Sequence, residues 1–456
     1  MRFRFLSAVT LLASITTIGK PLVASLEAQR TTPKPNVVLI MMDDLGYGDL
    51  GSYGAPDAKT PNIDRLAREG VRLTDAYANG VVCSPTRAAL ITGRYQQRFG
   101  IEAALTLADT ALGLPVTGAS LPALLKANGY ATALIGKWHL GFRREFGPRA
   151  HGFDEFFGFL EGAHDYYVGA LYEDTTPVRP HGYLTDAITE RSVKFIQRRR
   201  PGPFFLEVAY NAVHWPFQPP NRPPTDTVGR RGPRLLQLPI DSAPPTRADY
   251  VQMLERADEG VGKILVALEQ RGLTRNTLVI FTNDNGGEWL SRNAPFFHRK
   301  GTVWEGGIRV PLIVRWPGEL PAGKTSGQVA LTMDLTASIL AATGTKVPQS
   351  YRPDGIDIFP MLRGAAPIVE RQVFWRTPGT NPRSQQRAVR SGRWKLLMLL
   401  VDGSPQFFLY DLYADPGERN DLAVQRPDLV RSLWRLVQDW EKDVNEEARK
   451  SSKTGS

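Results

Sequence analysis

The chain carries one cysteine, Cys83, within Cys83-Ser84-Pro85-Thr86-Arg87. The residues that follow, Ala88-Ala89-Leu90-Ile91-Thr92-Gly93, read as a helix closed by glycine. Pro85 suits the first turn, where its missing N–H would have had no intrahelical partner. Cys83 therefore falls at or just before a helix N-terminus, where free N–H groups and the helix dipole favour an anion. Arg87, four residues on, shares its helix face. A nucleophile position and a fixed cation thus surround one small anion site. The ordinary alternative is a small buried cysteine near a helix start, and Cys83 alone does not decide between the two.

Other candidates stand at strand ends. The apolar run from Val37 to Met42 suits a strand buried on both faces of a parallel sheet, and it ends in Asp43-Asp44. Adjacent carboxylates there repel unless a cation neutralises them, and hard cations take oxygen ligands. Tyr130 to Gly136 reads as a strand ending in Lys137-Trp138-His139. In an extended segment Lys137 and His139 point the same way, where they can bind and protonate an anionic group. Phe204 to Tyr210 is a third strand, and His214 follows it. Thr277 to Thr282 is a fourth, followed by the oxygen donors Asp284 and Asn285. Lys300 lies in a glycine-rich loop, 299–311, leading into a further strand. His164 and Asp165, in a polar loop, are weaker candidates for substrate contact. Each fragment alone has a bland reading: a solvated turn, a surface lysine, a satisfied histidine.

The elements that must position these residues are legible as well. Thr60-Pro61-Asn62 opens a helix with an Ile63/Leu66/Ala67 stripe, closed at Gly70. A short strand, 71–77, leads into the Cys83 loop. Helices are expected over 120–128, 185–198 and 249–272, the last with Leu254, Ala257, Val261, Ile264, Leu265 and Leu268 on its apolar side. The stretch 151–159 is aromatic-rich and packs under the site. Residues 217–248 are rich in Pro and Arg without periodicity and read as a long functional or disordered loop. From about Val369 the pattern changes to hairpin strands, 387–400 and 407–412, and an amphipathic helix over 428–444, a smaller α+β domain.

A chain of 456 residues can bury a large core and suggests two domains. Its net charge of +10 favours anionic partners, but no nucleic-acid motif accompanies it. Arg2 and Arg4 precede an apolar run from Phe5 to Ile18, with small residues at Ala24 and Ala28. Residues 1–28 therefore read as a signal peptide, too short in its apolar part for a stable membrane span. Export to a periplasmic or extracellular compartment is the expectation. A single cysteine there forms no intramolecular disulfide.

Taken together, these motifs resemble the type I sulfatases of the alkaline phosphatase superfamily. The resemblance rests on Cys-Ser-Pro-Thr-Arg (83–87), Met-Asp-Asp (42–44), Gly-Lys-Trp-His-Leu-Gly (136–141), Ala-Val-His-Trp-Pro (212–216), Asn-Asp-Asn-Gly (283–286), Lys-Gly-Thr-Val-Trp-Glu-Gly-Gly (300–307) and the C-terminal stretch 409–418. It implies an α/β fold: a large mixed, mostly parallel sheet flanked by helices over residues 34–368, with an α+β subdomain over 369–456. It implies that Cys83 is oxidised to formylglycine by a maturation enzyme and hydrates to a gem-diol. It also implies one calcium ion held by Asp43, Asp44, Asp284, Asn285 and modified residue 83. In that scheme one hydroxyl attacks sulfur, His214 or Lys300 protonates the departing oxygen, and His139 deprotonates the second hydroxyl to expel sulfate. Arg87, Lys137 and Lys300 hold the sulfonate. The stretch 136–159 most resembles the arylsulfatase A and N-acetylgalactosamine-6-sulfatase group, so a sulfated sugar is the expected substrate, with aryl sulfates as substitutes. Two alternatives share the pattern: a formylglycine phosphonate monoester or phosphodiester hydrolase, and a silent sulfoglycan-binding protein.

Overall fold

The computed structural model describes residues 33–454 apart from 168, 180–181, 223–243 and 379–384. The signal-peptide stretch and most of the 217–248 loop lie outside the described residues.

In chain order the first strands are β1 (Asn36–Met42), β2 (Val71–Leu73), β3 (Ala76–Tyr77), β4 (Ala131–Lys137), β5 (Glu155–Phe159), β6 (Leu171–Glu173) and β7 (Thr176–Val178). They are followed by β8 (Phe204–Ala209), β9 (Thr277–Asn283), β10 (Leu312–Arg315), β11 (Lys324–Ser326) and β12 (Ala330–Leu331). Among the described residues, ten of these form one sheet in the order β11-β2-β10-β9-β1-β8-β4-β5-β6-β7. Its centre, β9-β1-β8-β4-β5, is entirely parallel. The stretch 71–77, read as one strand, is two: β2 joins the large sheet, and β3 pairs with β12 in a separate small one.

Alternation along β1 explains the layers. Val38, Ile40 and Met42 face one core, with Ile63 and Leu66 of α1 (Pro61–Glu69). The helices α4 (Leu184–Gln197) and α5 (Arg247–Gln270) complete that layer through Ile188, Leu254, Val261 and Leu268. Val37, Leu39 and Met41 face the other core. There they meet α2 (Cys83–Thr92), α3 (Leu121–Ala127) and α7 (Thr332–Ala342). A two-residue period sends adjacent side chains to opposite faces, so an unbroken apolar run is the signature of a doubly covered strand. α5 begins two residues earlier than the apolar stripe suggests. Thr246 and Asp249 exchange side-chain-to-backbone hydrogen bonds as a capping box.

Past the short α6 (Glu305–Ile308) and α8 (Phe359–Arg363), the C-terminal strands β13 (Gln372–Arg376), β14 (Gln386–Ser391), β15 (Trp394–Val401) and β16 (Ser404–Asp411) form an antiparallel meander. The stretch 387–400 is thus two strands, turning at Gly392 with φ of 57°. The final helix, α9 (Pro427–Thr454), lays Leu433, Val437, Trp440 and Val444 on this sheet. The same core includes Tyr77, Ala89 and Trp304 of the large-sheet region. Beside it lies a buried ionic knot: Lys395 Nζ is 2.8 Å from both Glu305 Oε1 and Glu418 Oε1. Tyr77 donates to the other Glu305 oxygen at 2.8 Å, and Arg309 lies 2.9 Å from it.

One buried carboxyl has no such partners. Glu207 sits mid-strand in β8 between Leu39 and Leu134, and its Oε2 has no hydrogen bond among the described residues. Burial pushes its pKa from 4.5 to about 7, with Arg87 opposing. A carboxyl raised in this way is harmless below pH 4.5. Its cost to the fold grows as pH rises toward 7 and is complete above that. The full effect is on the order of 3 kcal/mol. Glu207→Gln is therefore expected to raise the melting temperature at pH 8 and to change it little at pH 4. Parallel melting-temperature-against-pH curves for variant and parent would sink this assignment.

Candidate active site

The catalytic candidates gather because β9, β1, β8 and β4 are adjacent and parallel, so their carboxyl ends open on one edge. β1 delivers Asp43 and Asp44, and β4 delivers Lys137. The loops after β8 and β9 bring His214, Asp284 and Asn285. α2 delivers Cys83 and Arg87 from its first turns, with Val82 extended before it and Gly93 left-handed after it.

The turn after β1 is held on both sides. Asp44 adopts φ of 60°, a region that aspartate tolerates better than most residues. Asn283 brackets Leu45, accepting its N–H at 3.2 Å and donating to its carbonyl at 2.8 Å. Asp49, fully buried, accepts from Gly46 N–H at 2.9 Å and Tyr250 O–H at 2.5 Å, and pairs with Arg247 at 2.7 Å. Neither Asn283 nor Asp49 was singled out from sequence, although both lie within six residues of a candidate ligand.

Three buried carboxylates face three cations, of which Arg87 and Lys137 are buried and Lys300 is partly exposed. Lys137 Nζ is 2.5 Å from Asp43, and Lys300 Nζ is 2.7 Å from Asp44. The Arg87 fork meets Asp284 Oδ2 at 2.8 and 3.1 Å. Burial and the neighbouring Asp284 push the Asp43 carboxyl up to about 7. Asp284 itself is held well below the usual range: Arg87, Lys137 and Lys300 outweigh its burial. Asp44 is likewise lowered by Lys300 and His214 against the cost of burial. Without another cation, the trio holds its last proton on Asp43.

Lys300 is placed from two directions. Its N–H donates to Gly287 O at 3.2 Å, and the next N–H, of Gly301, donates to Val81 O at 2.8 Å beside the Cys83 loop. The backbones behind it nearly touch, and a Cβ on Gly286 would lie 2.0 Å from Gly306 O. The loop 299–311 contains α6, whose Glu305 anchors in the ionic knot.

His139 departs from the extended geometry expected of it. β4 ends at Lys137, and His139 has φ of 58°. The two side chains are therefore not aligned by strand alternation. His139 Nε2 lies 2.8 Å from the Leu105 carbonyl, which can only accept, so Nε2 carries the proton. Nδ1 is buried and has no hydrogen-bond partner among the described residues. Burial, then Lys137, holds the ring well below its ordinary pKa, so Nδ1 is a free acceptor. His214 is neutral too, its pKa pushed down to about 3 mainly by burial. Its Nδ1–H donates to the Trp215 carbonyl at 2.6 Å, and Nε2 lies 3.5 Å from Asp44 Oδ2.

A helix start alone favours an anionic Cys83, but the thiol is pushed far up by burial and then by Asp284, with Lys137 and Lys300 opposing. It remains protonated, 3.5 Å from Asp43 Oδ1. The cysteine as encoded is a poor nucleophile at neutral pH. His164 stacks on Phe159 at 4.9 Å and accepts from Asn211 through its carbonyl, while Asp165 accepts from Gln218 at 3.0 Å. Between them and His214 stands Tyr166, the next residue of the same loop. Its buried hydroxyl lies 2.9 and 3.0 Å from the Asn211 and His214 carbonyls.

The donor set fits a hard cation. One atom each from Asp43, Asp44, Cys83 and His214 lies within 4.8 Å of the others. Asp284 borders this group through Asp44 N–H, which donates to its Oδ1 at 3.4 Å. Asn285 donates to Asp44 at 2.7 Å, while its own Oδ1 is buried without a partner among the described residues. An orphaned amide oxygen beside three carboxylates is the arrangement that oxygen-seeking divalent ions complete.

The Sulfatase family model matches residues 35–345, and the model for the C-terminal region of N-sulphoglucosamine sulphohydrolase matches 294–443. N-acetylgalactosamine-6-sulfatase of Rattus norvegicus is 36% identical over 419 residues, covering 84% of this chain and 75% of that protein. Steryl-sulfatase of Mus musculus is 30% identical over 507 residues, covering 85% and 78%. The crystal structure of Ps i-CgsB in complex with k-i-k-neocarrahexaose is 31% identical with a TM-score of 0.80, covering 89% of this chain and 92% of that one. The match over 35–345 spans most of the chain and every residue of the carboxylate–lysine cluster, and with it the chain belongs to the type I sulfatases, as a sulfuric ester hydrolase of alkaline-phosphatase-like fold.

Proposed function

We propose that this sulfatase is matured at Cys83 to formylglycine, uses calcium, and cleaves a sulfate ester on a sulfated sugar. The observation that carries this reading is the protonated, buried thiol of Cys83 in a site otherwise equipped for an anion. A neutral thiol wastes three cations, whereas an oxygen nucleophile at the same position uses them. Formylglycine supplies an attacking hydroxyl and a second one through which sulfate is released, and calcium supplies Lewis-acid charge. Asp43, Asp44, Asp284 and the Asn285 amide oxygen are the residues that would hold the ion.

The chain's own side chains do the rest. Arg87, Lys137 and Lys300 are fixed donors for sulfonate oxygens and need no reorganisation when charge develops. His139 Nδ1 takes the proton from the second hydroxyl, and Leu105 keeps the other ring nitrogen protonated. Two groups beside Asp44 can protonate the departing oxygen. Lys300 already carries its proton, while His214 Nε2 gains one only when negative charge arrives next to it. The sugar assignment draws support from the N-acetylgalactosamine-6-sulfatase named above and from the neocarrahexaose bound to Ps i-CgsB. We also propose that residues 1–28 direct export.

Peptide mass analysis of active protein is expected to show an aldehyde at residue 83. Full activity with a quantitatively intact thiol would refute the nucleophile. Calcium binding to metal-free protein, followed by calorimetry, should weaken as pH falls below about 7, because the ion must displace the proton on Asp43. Asp284→Ala should lower both this affinity and the calcium-dependent rise in melting temperature. Binding that is independent of pH and of Asp284 would remove these carboxylates from the ion's shell.

A sugar alkoxide is a poorer leaving group than a nitrophenolate and needs its proton in the transition state. General-acid help is worth about 10²–10⁴-fold where it is needed. His214→Ala should therefore cost that much in kcat/KM on a sugar sulfate and far less on nitrophenyl sulfate. Arg87→Ala should harm both alike, since both share the sulfonate. Equal losses for His214→Ala would pass the proton to Lys300.

A further inference from the structure

The segment that carries Asn285 and Lys300 does more than deliver them. Between the two it loops outward through residues 288–299 and, with the turn 414–419 after β16, lines a wide-mouthed surface cavity of about 650 Å³. None of the cluster residues lines it. Two of its aromatic walls are exposed, Trp289 at 57% and Phe297 at 41%. Neither ring is loose: Trp289 packs edge-on to Phe217 at 6.2 Å, and Phe297 edge-on to Trp304 at 5.1 Å. Exposed rings set among polar and charged side chains in a concavity offer a ligand both apolar and polar contact.

The charged groups of the cavity are four. Glu288 and Arg299 approach only to 3.8 Å, outside hydrogen-bond reach. The Asp415 carboxylate is engaged by backbone, accepting from Arg419 and Asn420 N–H at 2.7 and 2.8 Å. The guanidinium of Arg419 has no carboxylate partner among the described residues. The site thus offers one unpaired and one weakly paired guanidinium beside flat apolar rings. A guanidinium fork matches sulfate and carboxylate oxygens bidentately, and aromatic faces suit the C–H faces of a sugar ring. The cavity adjoins the cluster: its wall residue Glu288 lies within electrostatic reach of Asp44 and Lys300, and Lys300 N–H donates to the preceding Gly287 O at 3.2 Å.

We propose that this cavity is a subsite for a neighbouring anionic sugar of the same glycan chain, with Trp289 and Phe297 against the ring and Arg299 and Arg419 on its sulfate or carboxylate. It rests on the sugar-sulfate reading given above and deepens it: the enzyme would prefer a sulfated oligosaccharide whose adjacent unit is charged.

The test compares kcat/KM for the matured, calcium-loaded enzyme and its Arg419→Ala and Trp289→Ala variants. The substrates are nitrophenyl sulfate, a sulfated monosaccharide, and sulfated oligosaccharides whose neighbouring unit is neutral, sulfated or uronic. Arg419→Ala should lose roughly tenfold on the charged-neighbour substrates, the scale of one hydrogen bond to a charged group. The loss should appear mainly in KM and be absent on the monosaccharide and nitrophenyl sulfate. Trp289→Ala should lower all three oligosaccharides and spare the two small substrates, which also certify its fold. Whichever charged arm loses more identifies the anion. Variants that match the parent on every oligosaccharide would overturn the subsite while leaving the sugar reading intact. A parent that hydrolyses nitrophenyl sulfate but no sulfated saccharide of any length would overturn the sugar reading itself, and the subsite with it.

Discussion

Three carboxylates buried at the edge of a parallel sheet are a constraint on everything near them. Isolated, each would be too costly to ionise. Lys137, Lys300 and Arg87 make them tolerable, and each cation must come from a different element: the end of β4, the loop before α6, and the second turn of α2. The balance is nominally three against three, but Asp43 sits near 7 and readily keeps a proton. The side chains of the cluster therefore lean positive as pH falls below about 7, which suits a sulfate-binding site.

A second cluster of the same kind stabilises the first from behind. Glu305, Glu418 and Asp75 meet Lys395, Arg309 and Arg390, again three against three. Glu418 is pushed up to about 7 by burial despite Lys395. Breaking a buried pair is far more costly than the pair's net worth, so this knot fixes α6 to the antiparallel sheet. α6 in turn ends the loop that begins at Lys300. The small sheet is therefore part of how the active site is held, and its apolar core is continuous with the helix that carries Cys83 through Ala89.

Much of this was legible in the sequence because it follows from periodicity. Unbroken apolar runs marked β1, β8 and β9, and chemistry-bearing residues stood at their ends. Glycine and proline marked the limits of α1 and α2. What the sequence could not supply was spatial order. The adjacency β9-β1-β8-β4 turns four unrelated strand ends into one cluster, and no local pattern states it. Local readings also failed where tertiary contacts overrode them. His139 takes a left-handed backbone instead of continuing β4, and its Nε2–H is committed to the distant Leu105 carbonyl. Cys83 lies at a helix start, yet burial, and after it the Asp284 carboxylate, hold its thiol neutral. The start of α5 was the readable miss: Thr246 and Asp249 stand at capping-box spacing just before the apolar stripe.

The histidines show how such overrides become function. Both face the site as neutral rings, and in each the other nitrogen is committed to a backbone carbonyl: His139 to Leu105, His214 to Trp215. A carbonyl cannot donate, so each bond fixes a tautomer. The free nitrogens then differ only in their surroundings. His139 Nδ1 has no hydrogen-bond partner among the described residues and is kept unprotonated by burial, then by Lys137 and Arg87, which suits a base. His214 Nε2 faces Asp44, a charge that raises its affinity for a proton against burial and the nearby lysines. One chemical group thus acquires two opposed tendencies from the charges that the sheet edge sets around it, and these carboxylates are the ones that make the cation site.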